Sequence, residues 1–242
     1  MTKRVLTIIS IFLIGIAGGL FAGQVLSPYL SKDSFLGMDS AYFARMTAGP
    51  VYITENKEVT VQENVVLQDS AEKIKNAIVG IKSTFGGKTI YGSGIVVTTD
   101  GLMVTLSEIV PRGGNFVFYV DGKIPSYKIL KRDQKNNLAL LKVDAIDLKT
   151  TGFADLEELR TGQRVFLAGI MFKDNNKVNL INEGIIRFVK NDSISTNIFE
   201  DQSLRGSSLF NIKGELLGLN TINKEGRVET IPISAIRSLT GF

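Results

Sequence analysis

The hydrophobic pattern divides the chain into three regimes. The first is unbroken: Val5 to Leu26 is 22 residues without a charge, and Gln24 is its most polar member. At about 1.5 Å per residue, a helix of that length spans the roughly 30 Å hydrocarbon layer of a bilayer. Lys3 and Arg4 precede it, which favours an N-terminus in the cytoplasm and a remainder, after Ser27, outside the cell membrane. A cleaved signal peptide is the rival reading. Its apolar part usually runs about 7–15 residues and ends at an A-x-A-like site, which Ala22-Gly23-Gln24 matches poorly. Residues 1–27 are therefore expected to be a cytoplasmic stub and a single-pass transmembrane anchor in the cytoplasmic membrane. Gly15, Gly19 and Gly23 fall four apart on one helix face, a spacing that permits close pairing of two copies.

The second regime, residues 28–63, has no long periodic run and is punctuated by Pro28, Gly37, Gly49 and Pro50. It reads as an extracytoplasmic tether. Val51-Tyr-Ile53 and Val59-Thr-Val61 are short β-like pieces in it. From about Asn64 to Ala77 the apolar spacing suits a helix, with Asp69 or Ser70 as a start signal inside it.

The third regime is a series of short β runs. The pattern predicts strands over Ile78–Thr84, Ile90–Thr98, Leu102–Leu106, Phe116–Val120, Tyr127–Leu130 and Leu138–Val143. A second set follows over Arg164–Gly169, Val178–Val189, Ile194–Ile198, Ser208–Ile212, Glu215–Thr221 and Val228–Ile233. Turn signals separate them, including Gly86-Gly87, Asp100-Gly101 and Asp121-Gly122, the last two being favoured hairpin dipeptides. Ser234–Leu239 reads as a short closing helix. Many short strands at close spacing predict an all-β barrel or sandwich. The residues available suffice for two six-stranded barrels, about 77–145 and about 158–234, within a domain 64–242.

Composition narrows the chemistry. The chain has 242 residues, 28 Lys and Arg against 24 Asp and Glu, no His and no Cys. Without His there is no Ser-His-Asp system, no His-ligated zinc and no imidazole switch. Without Cys there is no thiolate nucleophile and no disulfide frame. The formal charge of +4 is mild and no basic cluster interleaves with aromatics, so nucleic acid is not an expected partner. No metal site and no cofactor is expected.

Several segments share a resemblance. Tyr91-Gly-Ser-Gly-Ile-Val-Val-Thr-Thr-Asp-Gly101 is similar to the opening of HtrA/Deg-type serine proteases, which have the two-barrel trypsin-like fold. Leu102-Met-Val-Thr-Leu-Ser-Glu-Ile-Val110 resembles the strand running into their catalytic His. Lys131-Arg-Asp-Gln-Lys-Asn-Asn-Leu-Ala-Leu-Leu-Lys-Val143 resembles the segment that carries their catalytic Asp. Leu159–Gly169 is similar to the first strand of the second barrel, and Ser203–Thr221 to the nucleophile loop and the hairpin after it. The resemblance covers about residues 65–240, and its pieces keep the family's order and spacing.

The departures bear on function. In this alignment Glu108 stands at the family's His, Asn137 at its Asp and Arg205 at its nucleophilic Ser. Peptide cleavage by that scheme needs a serine oxygen, a base near neutral pKa and a carboxylate that orients the base, and none remains in register. The resemblance then implies a membrane-anchored, catalytically inactive trypsin-like domain in the cell envelope. It further implies that Glu108 faces Arg205 across the cleft as an ion pair, bidentate in form, with Asn137 hydrogen-bonded to the carboxylate. In the family the edge after the nucleophile hairpin pairs with substrate backbone. Asn220, Thr221, Ile222 and Asn223 are thus candidate contacts for an extended peptide or an envelope protein. Glu183-Gly184-Ile185 matches a strand end near the substrate cleft and is expected to form a bulge or turn. The family usually carries a PDZ domain next; none is expected after Phe242. Two alternatives stay open. One is an active endopeptidase using Ser203, Ser207 or Ser208, with Lys213 or Glu108 as base. The other is a purely structural envelope protein.

Overall fold

The computed structural model describes residues 2–21, 56–173, 176–190 and 193–241. The chain divides into two units, Met1–Asn56 and Lys57–Phe242. In the first, helix α1 (Thr2–Phe21) leaves its apolar side chains open, Phe12 and Ile14 among them. Among the described residues no helix is long and apolar enough to cross a membrane. The end of the uncharged run, including Gly23 and Leu26, lies outside the described residues, as does Val51–Ile53. Gly15 and Gly19 have open space where a side chain would stand.

The second unit opens with helix α2 (Asn56–Ile74). Val59-Thr-Val61 is therefore helical, which corrects the β-like reading, and the helix starts eight residues before the expected Asn64. The cause is tertiary. Ser70 and Ile74 are buried and Leu67 packs against the same core, a spacing that puts all three on one helix face. The Ser70 hydroxyl donates to the Ile212 carbonyl at 2.8 Å. Docking of that face stabilises the helix through its C-terminal turns.

Twelve strands follow: β1 (Ile78–Phe85), β2 (Lys88–Val96), β3 (Leu102–Leu106), β4 (Asn115–Val120), β5 (Tyr127–Asp133), β6 (Leu138–Val143), β7 (Arg164–Lys173), β8 (Asn176–Lys190), β9 (Ser193–Phe199), β10 (Ser208–Asn211), β11 (Leu216–Ile222) and β12 (Arg227–Pro232). The last six close into a barrel in the order β10-β11-β12-β9-β8-β7. Helix α3 (Ile233–Thr240) follows and ends on Gly241 in the left-handed conformation, a common helix stop.

The first six strands do not close. They form a sheet in the order β4-β1-β2-β3-β6-β5, with β4 and β5 at its two ends, which corrects the expectation of two closed barrels. The physical reason lies after the Asp121-Gly122 turn. Both turn residues have positive φ, as a two-residue hairpin requires, and Val120 and Lys123 exchange both backbone bonds. Pro125 comes two residues later and has no N–H to continue a ladder. The chain leaves β4 there and pairs with β6 instead. The gap is bridged by side chains, since Tyr127 packs edge-on against Phe116 and Phe118 at 6.1 and 4.7 Å.

Strand β7 belongs to both cores. Val165 and Leu167 point into the closed barrel, while Phe166, Ala168 and Ile170 join the core of the first sheet; this is the two-residue alternation of a strand. Glu183-Gly184-Ile185 pairs in regular register with Phe166, Val165 and Arg164, so it is neither bulge nor turn. The bulge falls later, between Ile186 and Phe188.

The two β structures are stitched at Ser93 on β2. Its hydroxyl accepts the N–H of Ile170 on β7 at 2.9 Å, and both residues are buried. Ser93→Ala should orphan that N–H and destabilise the domain by about 1–3 kcal/mol, measured by chemical denaturation of the purified chain.

Candidate functional site

The cleft between the two β structures is built from three loops. After β3 the chain turns at Ser107-Glu108. The turn between β5 and β6 carries Asn137, in the left-handed region at φ 52°, which asparagine tolerates well. The loop before β10 carries Arg205. Asn137 ties the first two together. Its carbonyl accepts the Ser107 N–H at 3.0 Å. Its side-chain oxygen accepts the Ser107 hydroxyl at 2.8 Å and the Glu108 N–H at 3.1 Å.

Glu108 and Arg205 meet across the cleft, with an Arg205 terminal nitrogen 3.8 Å from Glu108 Oε1. The pairing is as expected from the resemblance, but two details differ. Asn137 holds the backbone of Glu108 and not its carboxylate. The ion pair is a single contact and not a fork. The guanidinium is turned by Gln202, whose carbonyl accepts Arg205 Nε–H at 3.1 Å and whose Oε1 accepts the second terminal nitrogen at 2.7 Å. Arg205 and Glu108 side chains remain 31% and 40% exposed, so water screens their attraction.

The Arg205 loop is closed upon itself. Asp201 caps a short 3-10 turn, Gln202–Leu204, by accepting the Ser203 N–H at 2.8 Å. The Leu204 N–H goes to Asp201 and the Arg205 N–H to Gln202. The Gly206 N–H goes to Asn220 and the Ser207 N–H to Leu204. Every backbone donor from Ser203 to Ser207 thus has an acceptor inside the protein. An oxyanion hole needs such donors free and converging on one point. The hydroxyls fare no better. Ser207 and Ser208 are fully buried, and Ser207 Oγ accepts from Asn220 Nδ2 at 3.1 Å. Lys213 lies exposed on the turn between β10 and β11.

Gly206 explains how the loop comes so close to the first sheet. It has φ +76°, and a Cβ there would stand 2.1 Å from the Ser93 carbonyl oxygen; only glycine permits both. Beside it, the Arg205 carbonyl accepts the Ser93 N–H at 2.8 Å.

A groove of about 680 Å³ adjoins the cleft, lined by Lys135 and Asn137 of the first sheet's β5–β6 turn and by Ser193, Thr221, Glu229 and Ser234 from the barrel and the helix after it. Of the four residues expected to contact a peptide, Thr221 alone lines it. Asn220 is buried, with Oδ1 accepting from the Thr230 hydroxyl at 2.6 Å, and its backbone is bonded to Gly206 and Ser207. Ile222 lies in the barrel core. Asn223 is exposed, but its side-chain oxygen accepts the N–H groups of Glu225 and Arg227. Strand alternation sends Asn220 and Ile222 inward, and β11 is enclosed between β10 and β12.

Sequence reasoning missed Asp201, Gln202 and Ser107. Asp201 had a legible signal, an Asp two residues before the N–H it accepts. Gln202 had none, because its role exists only once Arg205 bends back.

A six-stranded closed barrel beside a second six-stranded sheet, with the cleft between them, defines a trypsin-like peptidase domain. The family model for that domain matches residues 92–219. The chain belongs to this family, on its HtrA/Deg-type branch. It is similar to a probable periplasmic serine endoprotease, DegP-like, of Halomonas elongata, at 31% identity over 136 residues, covering 54% of this chain and 29% of the relative. It is also similar to a protein of the same description from Pseudomonas putida, at 30% over 139 residues, covering 54% and 28%. The matched region is thus less than a third of either relative.

Two outcomes follow. A double-mutant cycle on Glu108 and Arg205 should give a coupling below about 1 kcal/mol, as for screened pairs, read from denaturation midpoints. The Ser203 N–H, then the Ser203 hydroxyl, hold the Asp201 carboxyl below its ordinary value of 3.8. A depressed folded pKa stabilises above the ordinary value, and that stability is lost as pH falls through the folded one. Asp201→Ala should cost about 1 kcal/mol at pH 7, and its gap from the parent should shrink as the pH is taken below about 4.

Proposed function

We propose that this chain is a catalytically inactive homologue of the serine endoproteases it resembles, held at the membrane of the cell envelope, where its cleft binds extended peptide or a protein partner. The observation that carries the inactivity is the convergence of Glu108, Asn137 and Arg205 in a chain without histidine. No group there combines a serine oxygen with a base of neutral pKa. The bonded state of the backbone donors from Ser203 to Ser207 supports the same reading, since a tetrahedral oxyanion would find no free N–H pair.

The envelope location rests on two supports. The relatives are described as periplasmic, and a basic pair precedes the uncharged run Val5 to Leu26. That run is long enough to span a bilayer as a helix, and Gly15, Gly19 and Gly23 would let two such helices pack closely. Peptide binding rests on the groove of about 680 Å³ beside the cleft, with Thr221 on its wall.

The detergent-solubilised chain, incubated with a general protease substrate and a fluorophosphonate probe, should give neither turnover nor labelling. Adducts at Ser203, Ser207 or Ser208 would overturn the reading.

A further inference from the structure

The guanidinium of Arg205 is only half used. Its Nε–H and one N–H of a terminal nitrogen are taken by Gln202, which fixes the plane of the group. Its other terminal nitrogen faces Glu108 Oε1 at 3.8 Å, too far for a hydrogen bond. Three of the five guanidinium donors are therefore without an acceptor within hydrogen-bond distance among the described residues. Arginine donors in a fixed fork match a carboxylate in bidentate fashion, and a group oriented beforehand loses little entropy on binding. Glu108 does not supply that match: Asn137 holds its backbone on the opposite wall, and only one carboxylate oxygen approaches, at 3.8 Å.

The place of this fork matters. Asn137 and Thr221 both line the groove. Asn137 is bonded to the Glu108 N–H. Thr221 follows Asn220, which is bonded through its backbone to Gly206, the neighbour of Arg205. Each member of the ion pair is thus tied, directly or through a neighbour's backbone, to the groove's lining, and an end of a peptide lying in the groove has to reach past that lining to the guanidinium.

We infer that Arg205 is a carboxylate receptor, and that the ligand class of the groove is an extended peptide whose free C-terminal carboxylate reaches the guanidinium and displaces Glu108 from it. The inference rests on the peptide-binding reading above and deepens it. The chain's body lies in the groove past Asn137 and Thr221. Its carboxylate takes the donors that Gln202 leaves free. Glu108 acts as a weak internal competitor, exposed enough to swing aside into water. A cleft with this chemistry holds the end of a peptide and not its middle.

The test uses the full chain, detergent-solubilised and immobilised, with two degenerate hexapeptide pools that differ only at the C-terminus, free acid against carboxamide. Retained peptide is quantified by mass spectrometry. A third pool, amidated but with one internal glutamate, separates a terminal carboxylate from a side-chain one. The free-acid pool should be retained about tenfold or more over the carboxamide pool, the scale of a charge-assisted hydrogen-bond pair. Arg205→Gln should bring the acid pool down to the carboxamide level, with the fold checked by circular dichroism. Glu108→Gln, which removes the competitor and leaves the fork intact, should raise acid retention several-fold. Equal retention of acid and carboxamide pools overturns the inference and leaves the peptide reading standing. Retention of the glutamate pool at the acid level overturns the C-terminal assignment. Unchanged acid retention in Glu108→Gln overturns the competition. Retention of no pool overturns both the inference and the peptide reading.

Discussion

Ser93 is the joint on which the cleft depends. One residue on β2 uses its N–H for the Arg205 carbonyl, its carbonyl for the Thr105 hydroxyl and its own hydroxyl for the Ile170 N–H. It thereby ties the first sheet to the strand that serves both cores and to the loop that carries Arg205. All of these groups are buried or nearly so, where a lost partner is costly. Gly92 and Gly206 make the approach possible. A Cβ on Gly92 would press on Ile109 and on the Arg205 carbonyl, and one on Gly206 on the Ser93 carbonyl. The position of Arg205 is thus set by backbone fit, and its ion pair with Glu108 is a consequence of that placement and not its cause.

The same joint explains why the shape of the cleft does not rest on its ion pair. The groups that hold the loops are backbone amides, Asn137, Ser93 and the Asp201 cap. Glu108 and Arg205 contribute one long, partly exposed contact, which is worth little in water. Side chains that carry little of the folding energy are free to vary. The loop around Arg205 is a self-bonded turn whose backbone donors from Ser203 to Ser207 are taken within the protein.

Much of the fold was readable from pattern. Short β runs between turn signals located the twelve described strands, several of which are buried on both faces, and Asp121-Gly122 forms the turn its composition predicts. The reading of two closed barrels failed at β4 and β5, where a proline without an N–H ends a ladder that hydrophobicity alone would extend. It failed at Val59–Val61, which continue a helix whose later turns dock on the core through Leu67, Ser70 and Ile74. For the site, the resemblance to the HtrA/Deg-type proteases placed Glu108, Asn137 and Arg205 together at the cleft, and the structure puts them on three loops that meet. It did not reveal that β11 is enclosed and that Asn220 and Ile222 point inward.

By itself the sequence determined the chemical inventory: no imidazole, no thiol, and a carboxylate, an amide and a guanidinium at Glu108, Asn137 and Arg205, the positions that the family resemblance aligns with a catalytic set. That is a matter of composition and register, and no fold can alter it. Only the tertiary structure decided which atoms of those groups face each other. Gln202 turns the guanidinium, Asn137 takes the Glu108 backbone, and the backbone donors of the Arg205 loop are spent within the protein. Hydrogen bonds depend on direction within a few tenths of an ångström, and residues as far apart in the chain as Ser93 and Arg205 acquire that geometry only when the whole chain is packed.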